Sequence, residues 1–170
     1  MDILKELLKI TSEKNIFANE PLKKHTSFRI GGETDFLVVP ENIDETVKLL
    51  SFLKEQSIKY LVIGNGSNLL VSDDGFRGVV VKLGGGINNI SCDGETLYVE
   101  AGVLMSKISS FCLQNSLDGF SELSGIPGTF GGAIYMNAGA YGKEIKDVLL
   151  DVTFINNNGE IKTIKAEDAE

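Results

Sequence analysis

Residues 125–142 read "GIPGTFGGAIYMNAGAYG": six glycines in eighteen residues, no charge, and otherwise mostly apolar side chains. A flexible linker would be Gly/Ser-rich and solvated. A regular strand or helix would avoid so much glycine, because each one inside regular structure costs about 0.5–1 kcal/mol. The stretch therefore predicts main chain laid bare beside apolar walls. Gly125, Gly128, Gly131 and Gly132 would let it lie against something flat or bulky, and Pro127 would stiffen the bend. Ile126, Phe130, Ile134 and Tyr135 would supply the walls. A buried glycine-rich crossover packed on a helix would use the same residues.

A second glycine-rich loop, "VIGNGSNLL" (62–70), also follows an apolar run. Gly64-x-Gly66 opens like a dinucleotide fingerprint, but Leu69 stands where the third glycine belongs. The residues beyond it do not predict the helix which that motif needs. No Gly-Lys-Ser/Thr occurs, so a Walker A loop is excluded. Gly64, Asn65, Gly66, Ser67 and Asn68 still offer successive backbone N–H groups with little in their way. Asn and Gly tolerate positive φ, so such a loop can curl into an anion-holding nest. An ordinary tight turn between strands fits this loop as well. Together, a nest and a bare uncharged cleft suit a large planar cofactor with a pyrophosphate tail.

The whole chain bounds the answer. Its 170 residues make one ordinary domain or two small ones, and 42% hydrophobic with 24% charged residues is globular composition. A net charge of −8 argues against nucleic acid or an anionic membrane as partner. No apolar run reaches the roughly eighteen residues of a membrane span. "MDILKELLKI" reads as a short amphipathic helix rather than a signal peptide. Cys92 and Cys112 stand alone, which fits a reducing cytoplasm.

Along the chain, "TDFLVVP" (34–40) predicts a strand stopped by Pro40. Asn42 and Asp44 are candidate caps of a helix with Ile43, Val47, Leu50 and Leu53 at helical spacing. With the strand "KYLVIG" (59–64) these predict a compact βαβ beginning, and "FRGVVVKLG" (76–84) adds a further strand. Next come a hairpin turning at Asp93-Gly94, a helix over 103–117, and two closing strands about Asn158-Gly159. The glycines Gly84, Gly85 and Gly86 suggest a boundary between two small α+β units.

Three segments in order and register, "HTSFRIGG" (25–32), "GNGSNLLVSDDGFRGVVVKL" (64–83) and "SGIPGTFGGAIYMNAGAYGKEI" (124–145), closely resemble the UDP-N-acetylenolpyruvoylglucosamine reductase family of flavoenzymes. The resemblance implies an α+β FAD-binding fold of the PCMH, or vanillyl-alcohol-oxidase, type. In that fold two small α+β subdomains hold the flavin between them, here residues 1–84 and 85–170. It implies that Gly64, Asn65, Gly66, Ser67 and Asn68 cradle the FAD pyrophosphate. It also places Ser124, Pro127, Gly128, Gly132, Asn137 and Gly139 along the rest of the cofactor. NADPH as co-substrate and a nucleotide-sugar substrate follow from the same resemblance, and a monomeric, cytoplasmic protein is expected.

The family's Tyr-Arg-x-Ser motif, its proton-donating serine and its assisting glutamate have no counterpart in these residues. The chain is expected to be a piece without catalytic residues, ending after "KAEDAE" at the opening of a short helix. Another FAD-dependent oxidase of the same fold, or a non-catalytic binding domain, is the rival reading. Metal and triad chemistry are disfavoured by a single histidine, His25, for which a structural hydrogen bond is expected. Arg29 could anchor its loop or approach a phosphate, Tyr141 is expected to pack, and Cys112 to lie in the core. Asp73, Asp74 and Glu144 read as solvated.

Overall fold

The computed structural model describes residues 2–156 and 159–169, and the chain separates into two compact units, Met1–Ile87 and Asn88–Glu170. Among the described residues no helix is long and apolar enough to cross a membrane.

The first unit is a four-stranded sheet. Helix α1 (Ile3–Leu7), capped by the Asp2 carboxylate, precedes β1 (Ile16–Pro21), β2 (Glu33–Val38), α2 (Ile43–Glu55), β3 (Tyr60–Ile63) and β4 (Phe76–Lys82). Asn42 caps α2, its side chain accepting from the Glu45 N–H at 2.8 Å. The order is β1-β2-β4-β3, with β1 antiparallel to β2 and β4 parallel to both neighbours. The expected βαβ beginning is thus split, because β4 lies between β2 and β3. Its run Val79-Val80-Val81 is buried on both faces, and burial on both faces is what a central parallel strand requires. Val79 and Val81 pack with Leu7, Leu49 and Leu53, while Val80 packs with Leu22, Leu37, Ile63 and Val71. β1 ends in Pro21, which only an edge strand tolerates well.

The second unit is built around one apolar cluster. The hairpin β5 (Ile90–Asp93) and β6 (Thr96–Val99) turns through Gly94 and Glu95, with a positive φ of 59° at Gly94, the first central position of a type II′ turn. Then come α3 (Met105–Gln114), α4 (Phe130–Tyr135), the small hairpin β7 (Gly139–Ala140) and β8 (Lys143–Glu144), and the antiparallel pair β9 (Asp151–Ile155) and β10 (Ile161–Lys165). Asn158 of the expected closing turn lies outside the described residues. Helix α3 starts later than its apolar spacing suggests, because Leu104 first forms an antiparallel bridge with Thr129. Met105, Ile108 and Cys112 then bury one helix face against Val103, Phe120, Leu123, Ala133 and Ile145.

Helix α4 sits inside the glycine-rich stretch that by composition should hold no regular element. Tertiary hydrogen bonds override the poor propensity: Phe130 N–H donates to the Val103 carbonyl at 2.7 Å and Gly131 N–H to that of Ala101 at 2.8 Å. That approach needs glycine, since a Cβ on Gly131 would lie 2.7 Å from the Ala101 Cβ.

Candidate functional site

In the first unit the segment Gly64–Asn68 leaves the C-terminal end of parallel strand β3, the edge at which open α/β sheets bind ligands. Ile63 before it and Leu69 and Val71 after it enter one apolar cluster, which pins both ends of the loop. Gly66 is buried with φ +63°, and a Cβ there would lie 2.0 Å from the His25 carbonyl oxygen. Ser27 N–H donates to the Gly66 carbonyl at 3.1 Å. The motif 25–32 is therefore the floor on which the loop rests. Of the five loop residues only Gly66 has positive φ; Asn65 and Asn68 are exposed without it.

Three ionisable groups underlie this floor. His25 Nε2 lies 2.9 Å from Glu20 Oε1, and His25 Nδ1 lies 3.1 Å from Lys82 Nζ. The expected structural role of His25 is what these bonds describe. Burial pushes the Lys82 ammonium below the usual lysine range. Burial also works to raise Glu20, but hydrogen bonds from His25 and Lys24 outweigh it and hold the carboxyl below its ordinary range. Lys82 and Glu20 escape a reading of the sequence; the one signal was a lysine ending a run of valines. Arg29 stands exposed with φ +56° in a turn closed by Thr26, whose Oγ1 donates to the Ile30 carbonyl at 3.0 Å.

In the second unit Ser124, Pro127, Gly132, Asn137 and Gly139 are exposed and Gly128 is half-buried. Gly128 takes φ +119°, and its carbonyl accepts from Met105 N–H at 3.1 Å. Asn137 has φ +42° and uses its side chain within the unit, donating to Glu144 at 3.0 Å and accepting from the Lys146 N–H at 3.1 Å. Lys146 and Asn137 bonded to the Glu144 carboxyl hold it below the usual range. Tyr141 does not pack as expected: it is 91% exposed. With Gly142 it forms the two-residue turn of the β7–β8 hairpin, at φ 53° and 83°, the type I′ pattern that throws its central side chains outward. Tyr135 is 89% exposed on α4. Cys112 is buried and Cys92 exposed, both free thiols, and burial pushes the Cys112 thiol up.

A family model described as an FAD binding domain matches residues 34–165, a range that includes both glycine-rich segments. The chain belongs to this FAD-binding family. It is 46% identical over 166 residues to the UDP-N-acetylenolpyruvoylglucosamine reductase of Alkaliphilus oremlandii (strain OhILAs), covering 98% of this chain and 55% of that protein. Among solved structures it resembles the UDP-N-acetylenolpyruvylglucosamine reductase (MurB) of Thermus caldophilus, at 31% identity and TM-score 0.74, over 90% of this chain and 52% of that one. The glucose dehydrogenase Phl p 4.0202 matches at 14% identity and TM-score 0.72, over 96% of this chain and 38% of that chain, a likeness of fold alone. The chain thus spans about half the length of the curated relatives it matches.

The residues of the FAD-binding family fit such a cofactor on a local test. A glycine that serves the fold shows a clash or a positive φ, as Gly66 and Gly131 do. Gly125 and Gly132 show neither: a Cβ on Gly125 would meet nothing within 4 Å, and one on Gly132 only Thr129 Oγ1 at 3.5 Å. Both are exposed, so neither the packing nor the backbone conformation of the folded unit calls for glycine there, and their bare main chain is open to a flat ligand. No cluster of potential metal ligands occurs among the described residues.

Proposed function

We propose that this chain is the FAD-holding part of an NADPH-dependent reductase acting on UDP-N-acetylenolpyruvoylglucosamine, the activity belonging to a polypeptide of the relatives' full length. The observation that carries the reading is the pair of open glycines, Gly125 and Gly132, within a chain of the FAD-binding family. Bound FAD would supply hydride chemistry, taking hydride from NADPH and giving it to the enolpyruvyl group.

The chain's own residues bind and orient. Backbone N–H groups of Gly64 through Asn68 would hold the diphosphate, with Gly66 fixing the loop's curve on His25. Ser124, Pro127, Gly128, Gly132 and Gly139 would present main chain to the rest of the cofactor. Asn137 would act by holding that surface in place through Glu144 and the Lys146 N–H. A monomeric, cytoplasmic enzyme is part of the reading, and the free thiols of Cys92 and Cys112 accord with a reducing compartment.

FAD titration of the polypeptide of the relatives' full length, followed by flavin fluorescence, is the first test, and saturable quenching is expected. The second is reduction of bound flavin by NADPH and its reoxidation by UDP-N-acetylenolpyruvoylglucosamine. Reoxidation by oxygen alone would favour an oxidase instead.

A further inference from the structure

His25 links three parts of the first unit. Its ring lies between Glu20 on β1 and Lys82 on β4, at 2.9 and 3.1 Å, and its carbonyl oxygen seats Gly66. Lys82 ends β4 in register with Ile63, the residue before Gly64, so the ring is anchored beneath the root of the loop. An ammonium donates and never accepts, and a carboxylate only accepts. These partners dictate the tautomer: Nδ1 takes the proton offered by Lys82, and Nε2 carries the proton offered to Glu20.

The charged groups facing the ring are Glu20 from β1, Lys24 from the turn after it (Nζ 3.4 Å from Glu20) and Lys82 from β4. The loop Gly64–Asn68, seated through Gly66 on the His25 carbonyl, carries no charged residue. A second proton, placed on Nδ1, would aim an N–H at an ammonium 3.1 Å away. Two cations that close, partly withdrawn from water, repel, so either the ring turns or Lys82 leaves. The residue whose ring would respond is the one whose carbonyl seats Gly66.

We propose that His25 is a positioning residue for the Gly64–Asn68 loop and works only as its neutral Nε2–H tautomer, so that protonation of Nδ1 loosens the loop's hold on a diphosphate. This inference rests on the FAD reading above. It couples cofactor affinity to pH through a residue that need not touch the cofactor.

The experiment is FAD titration at a series of pH values from about 8 to about 5.5, with ¹⁵N spectra of the His25 imidazole alongside. The wild-type protein should lose about tenfold or more in affinity on acidification, the scale of one charge-assisted hydrogen bond. Lys82→Gln should bind FAD at pH 8 and show a flat profile, because an amide can donate to Nδ1 or accept from it. Lys82→Met, which removes the cation without replacing the donor, should also be flat, and Lys82→Arg should keep the wild-type slope. The spectra should show Nδ1 unprotonated and Nε2 protonated at pH 8. Equal slopes in wild type and Lys82→Gln, or a protonated Nδ1 at pH 8, overturn the proposal alone. Folded Lys82→Gln and Lys82→Met that both fail to bind FAD at pH 8 would make Lys82 a direct ligand and overturn it too. No FAD binding by wild type at any pH overturns the FAD reading, and this inference with it.

Discussion

A Cβ on Gly66 would fall 2.0 Å from the carbonyl oxygen of His25, so the two motifs of the first unit are locked main chain against main chain. Neither oxygen nor backbone can rotate away as a side chain tip can. Gly66→Ala must move one of the two segments, and it also puts alanine at φ +63°. A loss of about 2–4 kcal/mol in unfolding free energy is expected. Urea denaturation showing less than about 0.5 kcal/mol would mean that the loop is not seated as described.

Adjacent glycines should behave oppositely. Gly131→Ala drives a methyl to 2.7 Å from the Ala101 Cβ and should destabilise by about 1–3 kcal/mol. Gly132→Ala has room for its methyl within α4 and should stabilise by about 0.5–1 kcal/mol through helix propensity. The same Gly132→Ala should weaken FAD binding by about tenfold or more, roughly 1.4 kcal/mol. A stabilised protein with undiminished FAD affinity would remove Gly132 from the cofactor surface.

Tyr141 holds a left-handed backbone at φ 53° with its side chain 91% exposed, so its ring gives back little in packing for the strained conformation. Asn tolerates that region and suits the first position of a type I′ turn. Tyr141→Asn should raise stability by about 0.5–1 kcal/mol. A fall in thermal midpoint would show that the ring contributes contacts after all.

Acid should act through Glu20. Its carboxyl gives up its proton more readily folded than unfolded, so its contribution is full above the unfolded value near pH 4.3 and is lost as pH falls through the lower folded value. Wild type should therefore exceed Glu20→Gln in stability near neutrality, and the gap should close on acidification through and below about pH 4. A gap unchanged down to pH 3 would deny the linkage.

Lys82 gives a slope of the same sign in an alkaline window. Burial lowers its folded affinity for a proton, so the unfolded chain binds more protons as pH rises toward the ordinary lysine range, and stability should climb there. Lys82→Met should flatten that alkaline rise. An unchanged slope in denaturation experiments between about pH 8 and pH 10 would place the ammonium in water.

Local pattern made the elements of the first unit readable. Helical spacing and the Asn42 cap announce α2, and three successive valines announce a strand buried on both faces. Composition alone marked Gly64–Asn68 and residues 125–142 as bare main chain. It did not place β4 between β2 and β3, put a helix at Phe130–Tyr135, or turn Tyr141 outward. Nor could it pair His25 with Lys82, 57 residues apart. Periodicity and turn chemistry act between neighbours in sequence, so they can be read there. Which glycine serves packing, as Gly66 and Gly131 do, and which is left open, as Gly125 and Gly132 are, depends on atoms that only the folded chain brings within 4 Å.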